Sequence, residues 1–307
     1  MANADFLLRE IERRAFERLD YIKLQPQVIL DVGCGQGRGT VAFAQRFNQA
    51  QVIGLDQSPA MIAMCERLHS TNRRGDNGFA ATGLAATGLG AKGLTAKGLT
   101  AKGLAPLANT LKRWLPKAKP AGEPKQSSQP IRWVCADTHQ IPLSDQSVDL
   151  IWSNCAMHWF VDPREVIKEW RRILRPNGLL MFTCFGVQTL EQLAALGVLL
   201  PTFQDMHDIG DQMQNQKFAE PVMDMETLHL TYKQGADVLR DVRALGGNAL
   251  DQRRLGLRGR GFKQQVLDRL HEVDRLTFEI VYGHAWAPAH RLLPDGYSPI
   301  EFRPRGP

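Results

Sequence analysis

The chain has 307 residues, 43% hydrophobic and 23% charged, a composition that suits a folded globular protein and excludes a disordered or fibrous one. Its net charge of +6 does not mark a nucleic-acid surface, because residues 71–130 hold ten Lys or Arg against two acids and carry +8, leaving the rest at −2. The longest apolar or glycine run, residues 193–200, falls short of the roughly 20 residues that span a bilayer, and MANADFLLRE at the start places two acids and an arginine where a leader would be apolar. The expectation is a cytoplasmic protein with neither membrane nor nucleic acid as partner.

At the N-terminus Leu8, Ile11, Ala15, Leu19 and Ile22 recur every three or four residues, which predicts an amphipathic helix in residues 1–27 lying across the domain as a lid. VILDVGCGQGRGTVAFAQ follows, a strand at Val28–Val32, then Gly33, Gly35, Gly37 and Gly39, then a helix over Thr40–Phe47. So many glycines between a strand and a helix are unfavourable unless the backbone itself holds something. A second strand spans Gln51–Asp56, and Ser58 caps a helix that opens with Pro59. From Ala81 the chain reads ATGLA, ATGLG, AKGLT, AKGLT, AKGLA; with the lysine- and proline-rich stretch after it, residues 71–130 form a flexible low-complexity insertion.

Beyond the insertion the alternation resumes. Strands are predicted at Ile131–Asp137, Val148–Asn154 and, after the Asn177-Gly178 turn, Leu179–Phe185, with a helix over Pro163–Leu174 and a capping box of Thr189 and Gln192 before Leu193. A strand at Asp224–Tyr232, helices at Gly235–Leu245 and Phe262–Val273, and a strand at Leu276–Trp286 complete the pattern, and residues 287–307 read as an extended tail. Apolar strands joined by helices imply an α/β fold with a doubly wound, mostly parallel seven-stranded sheet, built from residues 28–70 and 131–286. Cys34, Cys65, Cys135, Cys155 and Cys184 are odd in number and lack a C-x-x-C pair, so reduced thiols and no metal are expected.

Open parallel sheets bind ligands at the carboxyl ends of their strands, and the first strand-to-helix turn is the usual seat of a nucleotide. A dinucleotide fingerprint would place its third glycine at position 38, which is Arg38 here. Instead, acids end the first three strands. Asp31 and the turn suit an ammonium and a sulfonium, Asp56 the two hydroxyls of a ribose, and Asp137 an adenine amino group.

VILDVGCGQG, VIGLDQSPAMI, WVCADTHQIPLSDQSVDLIWSN and EWRRILRPNGLLMFTCFG resemble the successive motifs of class I S-adenosylmethionine-dependent methyltransferases. The resemblance implies S-adenosyl-L-methionine as cofactor. It assigns Asp31, Gly33, Cys34, Gly35 and Gly37 to the methionine end, Asp56 and Gln57 to the ribose with Met61 in the same set, Asp137 and Thr138 to the adenine, and Asn154 to the side of the transferred methyl. WSNCAMHWFVDP, FGVQTLEQL, DMHDIGDQM, FAEPVMDMETLHLTY, VLRDVRALGGN and LTFEIVYGHAW are in turn similar to the malonyl-acyl-carrier-protein O-methyltransferases of biotin synthesis. That narrower resemblance implies methylation of a free carboxylate on a malonyl thioester and an acyl-carrier protein as partner; a monomer is the expectation for the chain itself. The pentad insertion is not part of the group's pattern, and members usually carry an arginine-, phenylalanine- and tyrosine-bearing segment ahead of the point where this sequence opens.

The chemistry suits such a reading. A carboxyl group with a pKa of about 3.5 is already ionised at neutral pH, so no general base is required. Alignment, a dry site and a cation for the acid are required. Arg243 and Arg240 are the candidate cations, Tyr282 and His284 are pocket candidates near the end of the last strand, and His158 beside Trp159 is a candidate to touch the acceptor. Ser153-Asn154-Cys155-Ala156 stands where amide-methylating enzymes carry Asn-Pro-Pro-Tyr, which argues against nucleic-acid amines. Arg253, Arg254, Arg258, Arg260 and Lys263 form a basic cluster fit for an acidic carrier. The alternatives are a relative that hydroxylates an arginine during respiratory-complex assembly, and a non-catalytic assembly factor.

Overall fold

The computed structural model describes residues 2–69, 130–198, 200–232, 235–244, 266, 268–270 and 275–289. Of the predicted helix Phe262–Val273 only residues 266 and 268–270 are described, and they are helical with Val266 and Leu270 buried; the basic cluster Arg253–Lys263 and nearly all of the insertion and the tail lie outside the described residues.

Seven strands form one sheet: β1 (Val28–Val32), β2 (Gln51–Asp56), β3 (Arg132–Cys135), β4 (Val148–Asn154), β5 (Leu174–Phe185), β6 (Ala219–Leu230) and β7 (Leu276–Trp286), in the order β3-β2-β1-β4-β5-β7-β6. The first five run parallel, and β7 lies antiparallel between β5 and β6. The central strands are apolar at successive positions because both faces are covered. Leu150, Trp152, Leu179 and Met181 pack on one side with α1 (Ala2–Leu19), α2 (Arg38–Arg46) and α7 (Gly235–Ala244). Ile151, Leu180 and Phe182 pack on the other with α4 (Pro163–Ile173) and α6 (Met206–Asn215). Two shorter helices are α3 (Pro59–His69) and α5 (Glu191–Ala195).

The N-terminal helix forms with Ile11, Ala15 and Leu19 buried as expected, but Leu7 takes the buried place expected of Leu8, and Ile22 lies half-buried beyond the helix end. Arg14 and Arg18 then tie α1 to the antiparallel edge, 2.6 Å from Glu226 and 2.7 Å from Asp224. The Ser58 cap also forms, with the Met61 N–H donating to Ser58 Oγ at 3.4 Å.

β6 starts five residues before the predicted Asp224 and ends at Leu230, and three further expectations differ. β3 is shorter than predicted and ends before Asp137. β5 starts at Leu174, with residues 175–178 bulged between the Val148–Leu174 and Leu150–Leu179 pairs; Asn177, at φ 61, supplies the left-handed residue the bulge needs. The capping box does not form. Thr189 donates its hydroxyl to the Glu279 carbonyl and accepts the Glu279 N–H, while the Gln192 amide brackets Thr277. Sequence spacing suggested a local cap, and β7 competes for both side chains.

Candidate functional site

The strand order reverses between β1 and β4, and a cavity of about 440 Å³ opens there at the carboxyl ends of β1, β2 and β4. Its floor is the glycine turn. Gly33, Gly35 and Gly37 have φ of 72°, 53° and 76°, a region that side chains disfavour. The N–H groups of Gly33 and Cys34 donate to the Leu55 carbonyl at 2.8 and 3.0 Å, stitching the turn to β2.

Asp56 fixes the lip. Its carboxylate accepts the Gly35 N–H at 3.0 Å and the Ser58 N–H at 2.9 Å, one on each oxygen, which sets its plane while leaving lone pairs on both. Asp31 lies deeper and is 3% exposed. Burial pushes its carboxyl up to about 7, against the 2.6 Å hydrogen bond from the Thr40 hydroxyl, and the charges of Glu12 and Asp56 add to the rise.

Of the residues singled out from the sequence, Asp31, Gly33, Cys34, Gly35, Asp56, Gln57, Met61, Thr138, Asn154, His158 and Trp159 line this cavity. The His158 ring packs among Trp159, Phe185 and Phe203, with centroids 5.1, 5.2 and 6.2 Å away. On its far side a small apolar recess is lined by Leu190, Phe203 and Phe278.

Other candidates fall elsewhere. Gly37 faces the core: a Cβ there would come within 2.5 Å of the Trp133 ring and 3.1 Å of Cys65 Sγ, so its glycine serves packing. Asp137 follows the shortened β3 and turns to His139, accepting its N–H at 2.9 Å and meeting Nδ1 at 2.8 Å, which holds its carboxyl below the usual range. Its neighbour Thr138 is the one that reaches the cavity. Tyr282 does not line this cavity. It is 3% exposed, donates its hydroxyl to Glu226, and lies 3.6 Å beneath the Arg18 guanidinium, fastening α1 to the sheet. His284, also on β7, is half-buried, and burial lowers its pKa. Arg240 is held by Asp237 at 3.0 Å and Asp241 at 3.7 Å. Arg243 belongs to α7, and its side chain lies outside the described residues.

Tyr282→Phe is therefore expected to lower unfolding free energy by about 1 kcal/mol through the lost hydrogen bond, while adenosylhomocysteine affinity stays within about twofold of the parent. Urea unfolding and calorimetry on the same preparation check both halves.

Sequence reasoning missed Leu8, Glu12, Arg38 and Phe160, which also line the cavity. Leu8 and Glu12 stand four apart on α1, so they share a face. An acid one turn after an apolar residue on α1 was the available signal. Among the described residues no cluster of His, Cys, Asp or Glu could hold a metal, and no helix is long and apolar enough to cross a membrane.

Two family models, both described as a methyltransferase domain, match residues 29–81 and 82–182. In structure the chain resembles the YcgJ protein of Bacillus subtilis, at TM-score 0.54 and 12% identity over 90% of this chain and 98% of that one, which establishes a common fold. In sequence it is 38% identical to the malonyl-acyl-carrier-protein O-methyltransferase of Methylovorus sp. over 98% of this chain and 90% of that protein. The enzymes of the same name from Laribacter hongkongensis and Gallionella capsiferriformans are each 36% identical, over 99% and 96% of this chain and 91% and 89% of their own. Identity at this level along nearly the whole length places the chain in the malonyl-acyl-carrier-protein O-methyltransferase family.

Proposed function

We propose that the protein transfers a methyl group from S-adenosylmethionine to the free carboxylate of a malonyl thioester borne by an acyl-carrier protein, an early step of biotin synthesis. The observation that carries the reading is the stitched glycine turn, with one buried acid at its root and one backbone-oriented acid at its lip. These groups fit the cofactor. Asp31 pairs with its cationic end, Asp56 with its sugar hydroxyls, and Gln57, Met61 and Thr138 surround the remainder. When bound, the cofactor supplies an electrophilic methyl on a sulfonium.

The chain's own residues do the rest. Asn154, His158 and Trp159 form the acceptor side, Leu8 of the lid helix and Phe160 exclude water, and Arg243 is the candidate cation for the malonyl carboxylate. No side chain needs to remove a proton, because the acceptor arrives ionised. The assembly-factor alternative is not favoured, since relatives matched along nearly the whole chain carry the transferase name. In this reading residues 1–27 serve as the lid, residues 71–130 are an insertion outside the catalytic domain, and the protein works as a cytoplasmic monomer.

The test supplies methyl-labelled cofactor and malonyl-carrier protein and looks for a labelled ester released by mild base. Asp56→Ala is expected to weaken adenosylhomocysteine binding by about 2–4 kcal/mol, roughly 30- to 1,000-fold, because it removes hydrogen bonds to a charged acceptor. Parental binding by Asp56→Ala, or label found only in a base-stable product, would overturn the proposal.

A further inference from the structure

Asn154 ends β4 with its side chain on the cavity, and an asparagine amide can present either an acceptor oxygen or two N–H donors there. The hydrogen bonds around it decide which. Thr183, opposite Asn154 in the β4–β5 register and 2% exposed, places Oγ1 3.0 Å from the Cys155 backbone nitrogen. A backbone N–H can only donate, so Oγ1 accepts there. The hydroxyl's single proton has two acceptors in reach, Asn154 Oδ1 at 2.7 Å and Cys155 Sγ at 3.5 Å, and goes to the nearer and stronger one, the amide oxygen. With its oxygen engaged, the Asn154 amide turns its nitrogen the other way, and Nδ2 donates to the Leu8 carbonyl of the lid helix at 3.4 Å. An amide nitrogen has two protons, and Leu8 takes one.

The same threonine holds the turn that follows. Cys155 is buried at φ 49, a left-handed conformation unfavourable to a side chain, and its N–H is also 3.0 Å from the Thr183 carbonyl. Next in the chain is Ala156, whose Cβ is the atom a side chain at Gly33 would strike.

We infer that Thr183 is a positioning residue that fixes the polarity of the Asn154 amide, so that the acceptor side of the cavity offers an N–H donor and suits an anionic oxygen in preference to an amine. An amide flipped the other way would point its oxygen at the incoming carboxylate and repel it. The inference rests on the proposed function only in placing the acceptor beside Asn154; the orientation itself follows from the Thr183 proton together with the Leu8 carbonyl, which can only accept.

Thr183→Val keeps the branched shape and removes the proton, whereas Thr183→Ser keeps the proton. In the full chain, the Asn154 side-chain amide signals in a nitrogen–proton NMR spectrum are expected to move in Thr183→Val and to stay near parental positions in Thr183→Ser. With malonyl-carrier protein, kcat is expected to fall about tenfold or more in Thr183→Val, the size of one lost oriented hydrogen bond. Adenosylhomocysteine affinity stays near parental, the melting temperature of Thr183→Val falls by the few degrees that a lost buried hydrogen bond costs, and Thr183→Ser restores both kcat and stability. Unmoved amide signals with parental kcat in Thr183→Val, or equal losses in both variants, would overturn the inference. Amide signals that move as expected in a protein that methylates no malonyl carrier support the orienting role and overturn the proposed acceptor instead.

Discussion

Gly33→Ala is expected to destabilise the fold by about 2–5 kcal/mol and to abolish measurable adenosylhomocysteine binding, whereas Gly35→Ala, two residues on, is expected to destabilise by only about 1–2 kcal/mol. Both glycines are left-handed, so both alanines meet the same backbone penalty. They differ in what a Cβ would meet. At Gly35 nothing lies within 4 Å, but at Gly33 the added carbon would sit 2.6 Å from the Ala156 Cβ, well inside the roughly 3.5–4.0 Å of carbon contact. The clash has no cheap release. Gly33 is pinned by the Leu55 carbonyl, and Ala156 is buried beside Cys155, itself held by Thr183. Relief therefore means parting the glycine turn from the β4 turn, and both line the cavity. Urea unfolding separates the two variants, and calorimetry reports the site. Equal stability of the two alanine variants would show that the close approach at Gly33 does not shape the cavity.

The fold was legible because its signals are local. Val28–Val32 and Gln51–Asp56 are apolar without alternation, as strands covered on both faces must be, and both were predicted to the residue. The floor of the cavity was legible for a related reason: a ligand at strand ends is held by residues at fixed offsets from those ends, which marks Asp31 and Asp56, whereas Asp137, read in the same way, turns to His139 instead. What failed was long-range. Thr189 and Gln192 have the spacing of a cap, and only the arrival of Thr277 and Glu279 on β7 diverts them. Tyr282 sits two residues from His284 on an apparent pocket strand, yet Arg18 and Glu226, remote in sequence, claim its ring and hydroxyl. The polar bonds between α1 and the sheet leave no periodic trace, and neither does the choice of which turn of α1 stands over the cavity.

Cofactor affinity is expected to rise with pH up to about 7 and then level off, with Asp31 as the cause. Burial raises its carboxyl from the ordinary 3.8 to about 7, so between those values the folded chain without ligand holds a proton that the unfolded chain has released. The unfolding free energy of the ligand-free protein must then fall as pH rises through that window and change no further above it. Binding responds in the opposite sense. The cationic end of the ligand pairs with an ionised Asp31, so at pH 6 the site must release a proton before it can make that pair. Calorimetry of adenosylhomocysteine at pH 6 in buffers of different protonation enthalpy should report close to one proton released, declining toward none at pH 8. Asp31→Asn should bind weakly at every pH, release no proton, and be stabilised relative to the parent above pH 7, where the parent carries a buried charge. Thr40→Val supplies the converse. Removing the 2.6 Å hydrogen bond that favours the ionised form should move the whole profile to higher pH. Proton release that is absent at pH 6, or that persists in Asp31→Asn, would assign the titration to another group and remove Asp31 from the cationic end of the cofactor.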